Sequence, residues 1–330
     1  MIKSWHCIDI IDIYFLFKID KLFITVPLNN VFNKECLVIN QKITIFKNKY
    51  NITLNNTLKL FNITTNKDIF VYEIPINLYY NIIFLYNNRR KLLFEEYCTT
   101  QYTNTISFFY DVKDKRYHDV RILVKKNNIS NKLNTLEKAL EILFFISDNY
   151  KHNGEIILPN NRNIKRLLQT AEKNNGYLNC RGLAILMNQV CMAYGILSRF
   201  IICMPKEKYI NDCHVVVIIY FKEKKKWVML DPSYKAYFMN SKHELLSLEE
   251  IREYLKQGKK IIINNEANIS GKKLNEELYF RSLIKKMYRF QSPIIINAEC
   301  DKESNFIELL PQKSGNCQIT NPKDFWKIPD

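Results

Sequence analysis

The chain has 330 residues, 47% of them hydrophobic and 25% charged, and 49 Lys and Arg against 33 Asp and Glu give a net charge of +16. That length suits two domains, or one large domain with an extension, and the apolar content builds a core without help from disulfides. Nine cysteines without a repeated short spacing argue against a disulfide framework and for reduced thiols.

No run of 18 or more apolar residues occurs, and the apolar stretch Ile8 to Phe17 is broken by Asp9 and Asp12. Neither a spanning helix nor a signal peptide is expected, and a cytoplasmic location is the default. The basic residues fall in short runs such as Arg89-Arg90-Lys91, Lys224-Lys225-Lys226 and Lys285-Lys286. They form no long stripe with interleaved stacking aromatics, so neither a specific nucleic-acid partner nor a membrane partner is expected. Whatever nucleic acid the charge attracts should bind weakly and fade steeply with salt.

Residues 1 to about 128 read as strand-rich. Lys42 to Phe46, Ile69 to Ile76 and Ile106 to Val112 are dense in Ile, Val, Phe and Tyr, and Asn pairs such as Asn29-Asn30, Asn55-Asn56 and Asn87-Asn88 punctuate them. One helical stretch, about Arg89 to Tyr97, interrupts the pattern. The division expected is a strand-rich region over 1–130 of unknown role and a catalytic domain with a C-terminal extension over 131–330.

From Leu133 the periodicity becomes helical. Leu136, Leu140, Leu143 and Phe144 share a face, with Asn134 or Thr135 as the cap. A second helix, Ile164 to Lys173, stops at Asn174-Asn175-Gly176. A third runs from Cys180 to Tyr194, with Leu183, Leu186, Met187, Val190, Cys191 and Tyr194 as its apolar stripe and Gly195 as its end. Gly182 and Ala184 let its first turn approach neighbouring elements. Cys180 sits on that turn, where unpaired N–H groups and the positive end of the macrodipole stabilise a thiolate. Cys191 and Cys203 read as buried, inert thiols.

His214 heads a strand that is apolar on both faces, Val215 to Phe221. A charged turn follows, and Trp227 to Leu230 returns as a second strand that Asp231-Pro232 ends. With a two-residue turn at Lys222-Glu223, His214 faces Asp231. A four-residue loop shifts the register by two and still keeps both on one face. A carboxylate on one ring nitrogen would fix the tautomer and leave the other nitrogen for a thiol proton. His6, His118, His152 and His243 lack such a setting and read as surface residues. A zinc-type site from Cys180, Cys213, His214 and Asp231 is disfavoured, because adjacent strand residues point to opposite faces.

The segment Asn179-Cys180-Arg181-Gly182-Leu183-Ala184, with Gly195-Ile196 at the helix end, resembles the nucleophile helix of the transglutaminase-like superfamily. The strand Ser198-Arg199-Phe200-Ile201, then Cys213-His214-Val215-Val216, then Trp227 to Pro232 as Trp-x-x-x-Asp-Pro, continue the pattern in order. The spacing fits too: 34 residues from Cys180 to His214 and 17 more to Asp231.

The resemblance spans about Leu133 to Tyr237 and extends through a helix at Leu248 to Leu255. It implies an α+β fold: a papain-like transglutaminase core, with a Cys-bearing helix packed on an antiparallel sheet, preceded by the strand-rich region. It also implies Cys180 as nucleophile, His214 as base and then acid, and Asp231 as the orienting carboxylate. No cofactor is implied, and the partner would be a protein or peptide substrate. Before Cys180 no clear side-chain donor for an oxyanion stands out; Asn179, Tyr177 and Gln169 are weak candidates. The expected chemistry is acyl transfer on an amide through a Cys180 thioester, resolved by water or a primary amine. Water is favoured, since it needs no second binding site. The alternative is a transglutaminase-like binding or scaffold protein without turnover.

Overall fold

The computed structural model describes residues 92–97, 99, 107–125, 134–206, 213–299, 306–311 and 321–329, and six strands between residues 14 and 73. The chain divides into two compact units. The smaller, within 10–92 and 277–282, holds a hairpin of β1 (Tyr14–Ile19) and β2 (Leu22–Pro27). It also holds an antiparallel sheet in the order β5 (Leu58–Ile63), β4 (Tyr50–Leu54), β3 (Lys42–Ile45), β6 (Phe70–Glu73). Two of the expected strands, at 42–46 and 69–76, are therefore present. Of the helix expected at 89–97, residues 89–91 lie outside the described residues; in the rest only Leu92 is helical, and Tyr97 bridges to Pro311.

The larger unit, 93–276 and 283–330, carries the core. The third expected strand shortens to β7 (Phe109–Tyr110). It is followed by a helix the sequence pattern did not announce, α1 (Tyr117–Lys125). α2 (Thr135–Asn149) starts at Asn134, whose side chain accepts from the Glu137 N–H while Glu137 reaches back, a capping box. β8 (Lys151–His152) and β9 (Tyr177–Leu178) pair in parallel around α3 (Ile164–Lys173). That helix ends where expected, with Asn175 at φ 53° and Gly176 at φ 86° reversing the chain.

α4 (Cys180–Ala193) is the centre of the fold. The sequence suggested a buried stripe, but every residue from Gly182 to Ala193 is buried. Helices α1, α2 and α3 pack around it, and β10 (Ser198–Met204) and β11 (His214–Phe221) lie against it. Two of its polar side chains find partners inside: Asn188 Oδ1 accepts from Ser198 Oγ at 3.0 Å, and Gln189 Nε2 donates to the Arg162 carbonyl at 3.3 Å. The first turn runs under the loop 153–163. A methyl on Gly182 would stand 3.0 Å from Leu158 Cδ2 and 3.3 Å from Leu178 Cβ. Gly182→Ala should therefore cost about 1–2 kcal/mol of overpacking, read as a lower urea midpoint at unchanged m. An unmoved midpoint would show that the loop yields freely.

The main sheet has seven antiparallel strands. Its order is β14 (Ile262–Ile263), β13 (Ala236–Met239), β12 (Lys226–Asp231), β11, β10, β17 (Arg289–Pro293), β19 (Phe306–Leu309). α5 (Leu248–Gln257) packs near β12, capped by Ser247 and Glu250 and closed by Gly258 at φ 70°. Minor pieces complete the unit: β15 (Asn268–Ile269) with β16 (Lys272–Lys273), β18 (Ile295–Ile296) in parallel with β7, and α7 (Pro322–Phe325), while α6 (Glu276–Lys286) has residues 277–282 in the smaller unit. On β10, Arg199 is fully buried in an aromatic cage, its guanidinium 3.7 Å from the Phe108 ring centre, 5.1 Å from Trp227 and 5.2 Å from Phe325. It donates to the Phe325 carbonyl, which clamps α7 onto the sheet. Burial pulls its pKa down to about 10, with Tyr110 opposing the shift.

Candidate active site

Asn179 builds the start of α4. Its Oδ1 accepts from the Gly182 N–H at 2.9 Å, and its Nδ2 donates to the Ile156 carbonyl at 2.9 Å. The residue thus caps the helix and straps the preceding loop to it, leaving Cys180 as the first helical residue. Cys180 is half-buried, at the edge of the main core.

The β11–β12 hairpin uses the longer of the two loops considered. Phe221 pairs with Lys226, and the four-residue connection contains a 3₁₀ turn over Lys222–Lys224 and Lys225 at φ 49°. The register Val217↔Leu230, carried one step on, puts Asp231 opposite Val216, two residues along from His214 on the same face. A diagonal same-face pair is still within reach of long side chains. His214 Nε2 and Asp231 Oδ2 meet at 2.7 Å, with His214 6% exposed and Asp231 fully buried. The other carboxylate oxygen, Oδ1, accepts from the Ser233 N–H at 3.0 Å. The turn after Asp231 is anchored in its turn: Ser147 Oγ donates to the Pro232 carbonyl at 2.9 Å, and Lys235 Nζ pairs with Asp148 at 2.6 Å.

Cys180, His214 and Asp231 are brought together. Burial alone would push the Cys180 thiol up, but the neighbouring imidazoles of His152 and His214 favour the thiolate and bring it down to about 6. Burial likewise opposes charge on His214, and the Asp231 charge and hydrogen bond, helped by Cys180, raise it to about 10. With Nε2 held by Asp231, Nδ1 is the nitrogen left for the sulfur. The lowered thiol and raised imidazole both favour a thiolate–imidazolium pair, whose proton belongs to the pair more than to either group.

The neighbour of the sulfur that sequence reasoning missed is His152. His118 and His243 are exposed, as expected, and His6 lies outside the described residues. His152, expected at the surface, is only 7% exposed. It lies on β8 in register with Leu178, two residues before Cys180, so the parallel β8–β9 ladder delivers it beside the helix start. Tyr234 lies near both imidazoles, its ring centre 6.2 Å from His152 and 5.6 Å from His214. The three residues first considered as oxyanion donors are placed otherwise. Asn179 is spent on the cap and strap, Gln169 is exposed beside Arg166, and Tyr177 pairs with Lys151.

The remaining described cysteines contrast with Cys180. Burial raises Cys191 to about 12 and Cys203 well above the thiol range, while Cys213 is exposed. Iodoacetamide should therefore label Cys180 first. Its rate should climb through about pH 6, because the thiolate exists only above the lowered pKa. Cys191 and Cys203 should stay unlabelled in the folded protein. Peptide mapping with uniform labelling, or with Cys180 silent at pH 7, would count against an activated thiol.

Among the described residues, no three or more His, Cys, Asp and Glu are grouped to hold a metal ion, and no helix is long and apolar enough to cross a membrane.

Residues 124–232 match the family model described as the transglutaminase-like superfamily. The chain is also similar to a solved structure of a candidate cysteine protease from Cytophaga hutchinsonii, at 14% identity and a TM-score of 0.28, over 62% of this chain and 70% of that one. A candidate protease from Parabacteroides distasonis is similar at 12% identity and a TM-score of 0.24, over 58% of this chain and 41% of that one. No curated protein matches the chain.

Proposed function

We propose, for a chain whose residues 124–232 carry a transglutaminase-like core, a cysteine-dependent acyl transfer on amide bonds. The observation that carries this reading is the buried His214–Asp231 pair at 2.7 Å, beside a thiol at a helix start that the His214 imidazole helps to keep acidic. A structural His–Asp pair alone would not need a low-pKa thiol on the other ring nitrogen.

The steps follow from the groups present. The Cys180 thiolate attacks the amide carbonyl, forming a C–S bond and an oxyanion. His214, as imidazolium, gives its proton to the departing nitrogen as the C–N bond breaks, leaving an acyl-Cys180 thioester. The neutral imidazole then takes a proton from water, whose oxygen attacks the thioester. The C–S bond breaks, the acid is released and the thiolate–imidazolium pair returns. A primary amine can replace water in the second half, giving a new amide. Water is favoured here, because hydrolysis needs no second binding site. Asp231 holds the imidazole by Nε2 throughout and stabilises its charge.

The test is intact-mass analysis after incubation with a peptide mixture and a primary amine. An acyl adduct mapped to Cys180, with cleaved or amine-extended peptides, is expected. No adduct and no altered peptide across a broad mixture would remove the enzyme reading in favour of a binding protein with the same fold.

A further inference from the structure

Acyl transfer at Cys180 requires donors at the point where the carbonyl oxygen gains negative charge. The helix start offers one, the Cys180 backbone N–H, since the first N–H groups of a helix have no intrahelical acceptor. The side-chain candidates considered from the sequence are occupied or placed elsewhere.

We propose that His152 is the side-chain donor of this oxyanion hole, so that two imidazoles with separate tasks flank the sulfur. The role rests on the acyl-transfer reading and specifies its machinery.

Three observations carry it. β8 pairs with β9 so that His152 lies beside Leu178, two residues upstream of Cys180, and the Asn153 N–H to Leu178 carbonyl bond of 2.8 Å fixes that register. The ring is buried and lies near Tyr234, and the backbone that carries it is anchored by the Ser270 hydroxyl, which donates to the His152 carbonyl at 3.2 Å. Its imidazole lies close enough to the Cys180 sulfur to favour the thiolate, and it comes from a different element than His214 does. In the attack, charge leaves the sulfur for an oxygen bound to the carbon that sulfur has just joined. An imidazole beside the sulfur, carried on a fixed strand, is then within reach of the new oxyanion without a large rearrangement. The tasks separate because the base must hold a full charge through the cycle, and the carboxylate that stabilises this charge, Asp231, is on His214.

The experiment compares two reactions of the same sulfur. Acetylation by p-nitrophenyl acetate passes through an oxyanion, whereas alkylation by iodoacetamide does not. Each is followed to its pH plateau by mass spectrometry at Cys180. The variants are His152→Phe, which keeps the ring but has no donor, and His152→Gln, which keeps an N–H.

His152→Phe should slow plateau acetylation about a hundredfold, the usual loss for one oxyanion donor, and leave plateau alkylation within about twofold. His152→Gln should recover most of the lost rate. If His152→Phe does not fold, as its melting temperature would reveal, His152→Ala takes its place with the same two rates. Equal losses in both reactions, or acetylation that survives removal of the donor, would overturn the role while leaving acyl transfer standing. A parent protein that alkylates at Cys180 but never acetylates there would overturn the acyl-transfer reading, and this role with it.

Discussion

Cys180→Ala is expected to give no acyl adduct and no turnover, and His214→Ala to lose nearly as much, at least about a thousandfold. The double variant should be no worse than the worse single one, because nucleophile and base act in one step and their losses do not add. The reason lies in the charge state of the site. Without His214 the sulfur loses its cationic neighbour, and the burial that already opposes the thiolate then raises the thiol. His214→Ala should consequently also shift the alkylation profile of Cys180 upward in pH. That readout needs no substrate and separates a lost base from a lost fold. Parental turnover by well-folded His214→Ala protein would sink the mechanism.

Much of this site was legible because it depends on local patterns. A thiol at the first position of a helix follows from the Asn179 cap, the periodicity after Leu183 and the stop at Gly195. The His214–Asp231 pairing follows from the parity of a hairpin, which is why two loop lengths gave the same face and the longer one could be realised without cost to the prediction. Where pairing is long-range, the sequence is silent. His152 belongs to a two-residue strand, too short for any alternation to register, and its parallel partner lies beyond a whole helix. Nothing in Tyr150-Lys151-His152-Asn153 separates it from an exposed turn.

Arg199 is opaque for the same reason. A cation in an apolar strand looks like an edge position, whereas its cage of Phe108, Trp227 and Phe325 comes from three distant segments. The apolar spacing of α4 marks only one face, whereas its burial is all-round; Ser198 and the Arg162 carbonyl, which bond Asn188 and Gln189, come from segments outside the helix.

Asp231→Asn tests the orienting carboxylate with almost no change of shape. The wild-type side chain accepts twice, from His214 on Oδ2 and from the Ser233 N–H on Oδ1. An amide can accept on only one side. If its oxygen stays on Ser233, the NH₂ faces Nε2, which must then accept, and the ring proton moves to Nδ1 against the sulfur, the wrong tautomer for a base. If the amide flips, its NH₂ opposes the Ser233 N–H in a fully buried position and the turn after β12 is strained. Both arrangements also remove the charge that raises His214, so the imidazolium is lost at a lower pH and the upper limit of activity should fall from about pH 10.

The rate loss should approach about four orders of magnitude if the tautomer controls the reaction, as in serine triads. It should be smaller if His152 alone keeps part of the thiolate in place. The measurement is kcat/KM across pH, with circular dichroism and melting temperature on the same samples. A folded Asp231→Asn protein with the parental rate and the parental upper limit would show that Asp231 only holds the turn, and that the low-pKa thiol owes nothing to it.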